Sequence, residues 1–394
     1  MMREAYLDNY AATPVLPEVR EAMLPFLGEE FGNPSSLHSR GDAARTAVEE
    51  AREKVAALIG ASPEEIIFTS NGTEANNLAV KGISAGSRRK GKHIVVSAVE
   101  HFSVLHAARS LEKQGYELSV VPVDEYGRLD VDELSSALGD DTVLVSIMTA
   151  NGEVGTIQPV AEAARIAAER EVPIHTDAVA AAGFLPIDVG ELGLSALSLS
   201  SDLLYGPQGV GALWIKRGVR LIPMLDGGVQ EGGRRGGTEN VPGIVGMGKA
   251  AELAMEQMEQ RNAHLAGLRD KMIAELPQRI EHLYLTGHPK DRLPWNASFA
   301  VEFIEGEGML LFLDQQGVAV SSGSACTSRA LKGSHVLSAC GIPAERAQGS
   351  ILFSFGLQNT EEDVDRVLEV FPPIVERLRQ MSPLYAKYLK ERGE

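Results

Sequence analysis

Short runs of Ile, Val and Leu, each ending in polar residues, alternate with amphipathic stretches through the first two-thirds of the chain. This alternation constrains the fold most. Strands read at 65–70, 93–97, 118–123, 142–148, 172–177, 196–200 and 210–216, with helices between them at 42–58, 103–114 and 160–170. Aliphatic runs without a polar face suit strands covered on both sides. Strand and helix in alternation imply mainly parallel βαβ units. Near Val241 the pattern changes to a long helical stretch ending about Leu276. Strand-like pieces follow at 297–303, 318–321 and 350–355, then a terminal helix over 360–380. The expected architecture is α/β: a large, mainly parallel-sheet domain over 14–259, and a smaller α+β domain built from 1–13 and 260–394.

Composition narrows the function. The 394 residues carry 37 Lys and Arg against 54 Asp and Glu, a net charge of −17. Such a surface repels phosphate, which argues against nucleic acid and against anionic membranes as partners. Two cysteines, Cys326 and Cys340, exclude a disulfide framework and a four-cysteine metal cage. The start of the chain lacks the apolar run of a signal peptide, and no apolar stretch approaches the roughly 20 residues of a membrane helix. The expectation is a cytoplasmic protein.

In α/β sheets the ligand sits beyond the carboxyl ends of the strands. Polar segments cluster at those ends. Ser70–Glu74 follows a strand and opens a helix, so Gly72 and Thr73 sit where free N–H groups cradle phosphate. The same residues also read as ordinary helix capping. Asp177 ends a strand and suits a cationic ring nitrogen, as in pyridoxal-phosphate (PLP) enzymes, or caps the next helix. His101 suits stacking on an aromatic ring, or is a helix-start histidine. Cys326 lies among small polar residues in Ser321–Ser328, as a nucleophile or soft-metal ligand would. Cys340 has apolar neighbours and reads as a packed helical cysteine.

Leu7–Pro14, Phe31–His38, Ser70–Asn77, Val99–His101, Tyr205–Gly209, Gly236–Pro242, Ser322–Cys326 and Met381–Leu384 occur in order along the whole chain. Together they resemble the cysteine desulfurases that carry their cysteine on a long loop. The resemblance implies the fold-type I PLP architecture, a homodimer with sites at the subunit interface, and sulfur delivery to an iron–sulfur scaffold protein. It implies that Thr73 and Ser200 hold the cofactor phosphate, and that Thr238 reaches the phosphate of the other subunit's site. His101 would stack on the ring, Asp177 would pair with its nitrogen, and Asn33 would lie near the substrate carboxylate. Cys326 would carry the sulfur as a persulfide. Met381–Leu384 resembles the scaffold-docking tail.

The departures fall on one locus. The family's Ser-Ser-His-Lys reads Ser200-Ser201-Asp202-Leu203, so the lysine that bonds PLP covalently is a leucine. No lysine occurs between Lys113 and Lys216, so a one-residue slip does not restore it. Asp202 places a carboxylate where the family has a phosphate ligand, a repulsive exchange. Gly152 and Ala180 replace an asparagine and a glutamine, and Leu352 replaces the arginine that clamps the substrate carboxylate.

Three readings follow. In the first, ordinary desulfurase catalysis is lost or very weak. Cys326 then passes on sulfur obtained elsewhere, or ligates a 2Fe–2S cluster shared with the scaffold. PLP in that first reading is held without a covalent bond by Thr73, Thr238 and Asp177. In the second, non-covalent PLP reacts directly with l-cysteine and supports slow turnover, with Asp202 as base in place of the lysine and Arg329 or Arg346 replacing the clamp. In the third, the chain binds no PLP and regulates a scaffold.

Overall fold

The chain's aliphatic runs form a seven-stranded sheet. In the computed structural model, which describes residues 4–322 and 333–392, its strands lie in the order Ile66–Thr69, Gly211–Ile215, Ala196–Ser200, Ile174–Asp177, Thr142–Ser146, His93–Ser97 and Glu117–Val121. Gly211–Ile215 is antiparallel to both neighbours. The other pairings are parallel, as the alternating pattern predicts. The six strands other than the edge strand Glu117–Val121 are buried at every position. That explains why they read as unbroken Ile/Val/Leu runs, whereas the edge strand keeps exposed residues.

Helices cover both faces. Gly72–Gly86 and Phe102–Glu112 bury Leu78, Ile83, Val104 and Leu111 in one apolar cluster. Ser39–Leu58 packs along the long helix Val241–Arg279. Their approach needs Gly248, where an added Cβ would lie 2.7 Å from the Ala51 Cα. The long helix runs unbroken through residue 259, the boundary expected between domains.

A second, three-stranded antiparallel sheet sets Asn296–Val301 between Leu283–Leu285 and Ser350–Ser354. Ala5–Tyr6 pairs with Val318–Ala319, and Asp8 bridges to Ser354, so the start of the chain joins its last third. Helix Glu361–Gln380 opens with a reciprocal Thr360/Asp363 cap and buries Val364, Val367, Leu368 and Phe371. Helices Gly306–Gln315 and Pro383–Arg392 complete this part. Two side chains fasten it to the large sheet: Asn296 Nδ2 donates to the Gly152 carbonyl at 2.8 Å, and Arg292 Nη2 to the Val154 carbonyl at 3.2 Å. They fix the loop after Thr142–Ser146, which reaches the site described next. Among the described residues no helix is long and apolar enough to cross a membrane.

Candidate active site

Beyond the carboxyl ends of the parallel strands opens a cavity of about 400 Å³. Gly72, Thr73, His101, Asp177 and Ser200 line it together, so the structure gathers five of the candidates onto one wall system. They arrive from the ends of two strands and from the helix starts behind two others: Gly72 and Thr73 after Ile66–Thr69, His101 after His93–Ser97, Asp177 and Ser200 at the ends of their own strands.

The segment after Ile66–Thr69 caps its helix, as one of its sequence readings has it. Asn71 caps the helix, its side chain accepting from the Glu74 N–H at 2.8 Å, and the Glu74 carboxylate accepts from the Ser70 N–H at 2.7 Å. Burial raises the Glu74 pKa, but the ion pair with Arg235 at 2.9 Å and the Ser70 N–H outweigh it and hold it below the ordinary value. Capping therefore falls to Asn71 and Glu74, which leaves Gly72 and Thr73 on the cavity at the positive end of the helix. A Cβ on Gly72 would sit 2.6 Å from Val179 Cγ2, so only glycine lets the helix start this close.

Asp177 is 6% exposed. Its Oδ2 accepts from Asn76 Nδ2 at 2.6 Å and its Oδ1 from the Val179 N–H at 3.0 Å. Asn76 also donates to Ser103 Oγ at 2.8 Å, and that hydroxyl meets His101 Nδ1 at 2.7 Å. Asp177, Asn76, Ser103 and His101 thus form one network. His101 is also the helix cap that the sequence allowed, with Nδ1 accepting from the Ser103 N–H at 3.2 Å. Burial pushes the Asp177 carboxyl up, while His101, the Val179 N–H and Asn76 pull it back. A buried carboxylate fixed by donors suits a cationic ring nitrogen.

Four of the departures, Ala180, Asp202, Leu203 and Leu352, line the same cavity. Leu203 is 7% exposed, Ala180 is 7% and Leu352 is fully buried. Leu352 sits in the Ser350–Ser354 strand, and its backbone N–H donates to the Ser321 carbonyl at 2.7 Å. Gly152 is glycine for a local reason: a Cβ there would lie 2.2 Å from Tyr10 Cζ. Tyr10 stacks on Trp295 with ring centroids 5.3 Å apart, so an aromatic ring fills the space beside Gly152. Asp202 lines the same cavity, and its backbone carbonyl accepts from the Thr13 hydroxyl.

Several wall residues carry no role in the sequence reading. Asn76 lay inside a quoted motif but reads as an ordinary helical residue. Glu100 and Glu153 lay inside motifs of which only His101 and Gly152 drew attention. Glu100 is fully buried; its Oε1 accepts from the Met148 N–H at 2.7 Å, and burial holds its pKa well above the usual value. Burial moves the Glu153 carboxyl up to about 7, against a hydrogen bond with Ser334. His335 Nε2 donates to the Glu100 carbonyl at 2.9 Å, and burial lowers its pKa.

Other candidates lie elsewhere. Asn33 is exposed, accepts from the Ser35 N–H at 2.9 Å and does not line this cavity. Thr238 is exposed and also stands outside it. Arg346 is engaged with Glu302 at 2.7 Å and lies over the Tyr284 ring, so it does not replace the clamp at Leu352. Cys326 and Arg329 lie outside the described residues. Cys340 is buried, and desolvation lifts its thiol to about 12, as a packed cysteine requires.

For PLP, the cavity fits at two ends. Asp177 and His101 suit the ring, and the helix start at Gly72 and Thr73 with Ser200 suits the phosphate. Among the described residues no lysine or arginine lines the cavity, so no group there bonds the cofactor covalently.

Residues 5–367 match the family model described as Aminotransferase class-V. The chain is 52% identical over 383 residues to "Cysteine desulfurase IscS" of Dictyoglomus turgidum, covering 97% of each chain. It is 46% identical over 387 residues to "Cysteine desulfurase NifS" of Azotobacter vinelandii, covering 98% of this chain and 96% of the relative. Among solved structures, a "NIFS-LIKE PROTEIN" superposes with a TM-score of 0.90 at 38% identity, covering 96% of this chain and all of that one.

Proposed function

The chain belongs to the cysteine desulfurases of aminotransferase class V, a family whose cofactor is PLP, and on that premise we propose that it is a sulfur donor for iron–sulfur cluster assembly that uses PLP held without a covalent bond. The observation that carries this reading is the hydrogen-bond network of Asp177, Asn76, Ser103 and His101, beside the helix start at Gly72 on the same cavity. Asp177 holds the ring nitrogen in its protonated form, and Asn76 fixes the carboxylate that does so. His101 covers the ring. Gly72, Thr73 and Ser200 take the phosphate, with Thr238 supplied by a second copy. When bound, PLP supplies an electron sink that loosens the C–S bond of l-cysteine. Cys326 receives the sulfur as a persulfide. Its scaffold partner docks on the C-terminal segment after Gln380.

Relatives at about half identity over almost the whole chain, named as desulfurases, favour an active enzyme over the loss of catalysis expected from the sequence. The specific observation on the other side is Leu203 and Leu352 in the cavity wall. If they abolish turnover, Cys326 serves as a relay for sulfur made elsewhere, or as a cluster ligand. One experiment separates the two readings. Protein supplied with PLP and l-cysteine is assayed for alanine and sulfide, beside Cys326→Ala. Equimolar release of alanine and sulfur that depends on Cys326 supports the enzyme. No release above the variant overturns it.

A further inference from the structure

The hydrogen bonds around His101 have a direction, and it starts at Asp177. Both oxygens of that carboxylate accept, Oδ2 from Asn76 Nδ2 and Oδ1 from the Val179 N–H. This fixes the Asn76 amide, because the flipped amide would set Oδ1 against the carboxylate at 2.6 Å. The second N–H of that amide goes to Ser103 Oγ at 2.8 Å. A hydroxyl that accepts from Asn76 still has its own proton to donate, and His101 Nδ1 lies 2.7 Å away. The Ser103 backbone N–H, which can only donate, points at the same nitrogen from 3.2 Å. Nδ1 therefore receives two donors and carries no proton, and in a neutral imidazole the proton then sits on Nε2. Nε2 has no hydrogen-bond partner among the described residues and is not one of the buried atoms left without one, so it opens on the cavity that His101 lines. The other imidazole on this wall is already engaged, since His335 Nε2 donates to the Glu100 carbonyl.

We propose that Ser103 is a positioning residue: with Asn76 it holds His101 as the Nε2–H tautomer, so that His101 meets l-cysteine as a hydrogen-bond donor. This rests on the reading of the cavity as the l-cysteine site. The opposite tautomer would set an Nδ1–H against the Ser103 N–H, donor facing donor, and would leave the hydroxyl proton without its acceptor. Asp177 then acts at two places. It suits the ring nitrogen directly and, through two neutral side chains, it decides which nitrogen of His101 carries the proton. The donor counts here because among the described residues no lysine or arginine lines the cavity.

The test is heteronuclear NMR of the full-length protein with isotope-labelled histidines, as purified, at about pH 9, above the ordinary imidazole range. His101→Gln identifies the His101 signals. The expected spectrum has the proton on Nε2 and a bare Nδ1 shifted by its two donors. Ser103→Ala should move the Nδ1 signal toward that of an unbonded imidazole and raise the share of the other tautomer. Ser103→Thr, which keeps the hydroxyl, should return both signals to their places, a rescue that a purely structural role would not give. With l-cysteine bound, the Nε2 signal should move more than the Nδ1 signal, and the reverse overturns the donor role. A proton on Nδ1 in the unaltered protein overturns the proposal with no variant needed. So do His101 signals in Ser103→Ala that match the unaltered ones. The tautomer is read without turnover, so a failed sulfur-release assay with the proton on Nε2 sinks the desulfurase reading and leaves the role of Ser103 standing.

Discussion

A single side chain decides what covalent chemistry the cavity permits. Leu203 holds the place where the family's lysine would stand, in a wall it shares with Tyr10 and Ala180. Leu203→Lys puts an amine within the cavity but leaves Leu352, Gly152 and Asp202 unchanged. The expected result is a PLP-sized mass gain after borohydride reduction, with sulfur release from l-cysteine still far below that of an ordinary desulfurase. Recovery of ordinary turnover by this one change would mean that the other departures carry little weight. Glu153 provides a second residue-scale prediction. Its carboxyl sits near 7 in the fold against an ordinary 4.5. Between those values the folded chain binds the extra proton, so stability falls as pH rises through that window and stays low above it. Glu153→Gln removes the ionisation, so its melting temperature should exceed that of the unaltered protein at pH 8 and match it near pH 4.5. The difference at pH 8 is on the order of 3 kcal/mol at most. The Cys340 thiol nearby, lifted to about 12, does not titrate in this range. Equal melting temperatures at pH 8 would show that Glu153 ionises freely. Leu203 was legible in the sequence because a motif broke there. Glu153 was not, because its state comes from burial by residues far along the chain.

Elements meet across the cavity in ways that local patterns do not announce. Gly152 reads as a loss when seen alone in its loop. In the fold it is one half of a pair, because the turn after Ala5–Tyr6 lays the Tyr10 ring where a side chain at 152 would go. Gly152→Asn alone should therefore cost about 1–3 kcal/mol by overpacking. With Tyr10→Ala in the same chain that cost should shrink, because the ring that clashes is gone. Denaturant unfolding of the two single variants and the double variant gives the coupling. Strict additivity would sink the pairing. The strands themselves were readable, since runs such as His93–Ser97 and Ala196–Ser200 are buried on both faces and carry no competing period. Gly306–Gln315 escaped notice because it opens with glycines at 306 and 308, poor helix formers. Asn76 escaped because its place beside Asp177 depends on packing of a helix against a distant strand.

At the scale of the whole molecule, the end of the chain is held differently from the rest. Helix Pro383–Arg392 buries none of its residues. It rests on an aromatic patch, where Tyr388 stacks on Phe303 at 4.6 Å between ring centroids and its hydroxyl meets His282 Nε2 at 3.2 Å. Helix Glu361–Gln380, just before it, is anchored by Val364, Phe371 and Val375 in the main core. A chain ended after Gln380 should therefore keep its fold, with a melting temperature lowered by no more than about 2–4 °C. Its cavity, built from residues up to Leu352, should bind PLP unchanged. If the tail is the docking element for a cluster scaffold, the shortened chain should lose capture of that scaffold while absorbing PLP as before. Retained capture would place the docking surface elsewhere. Loss of both together would mean that the tail supports the fold, against the shallow packing that the structure gives it.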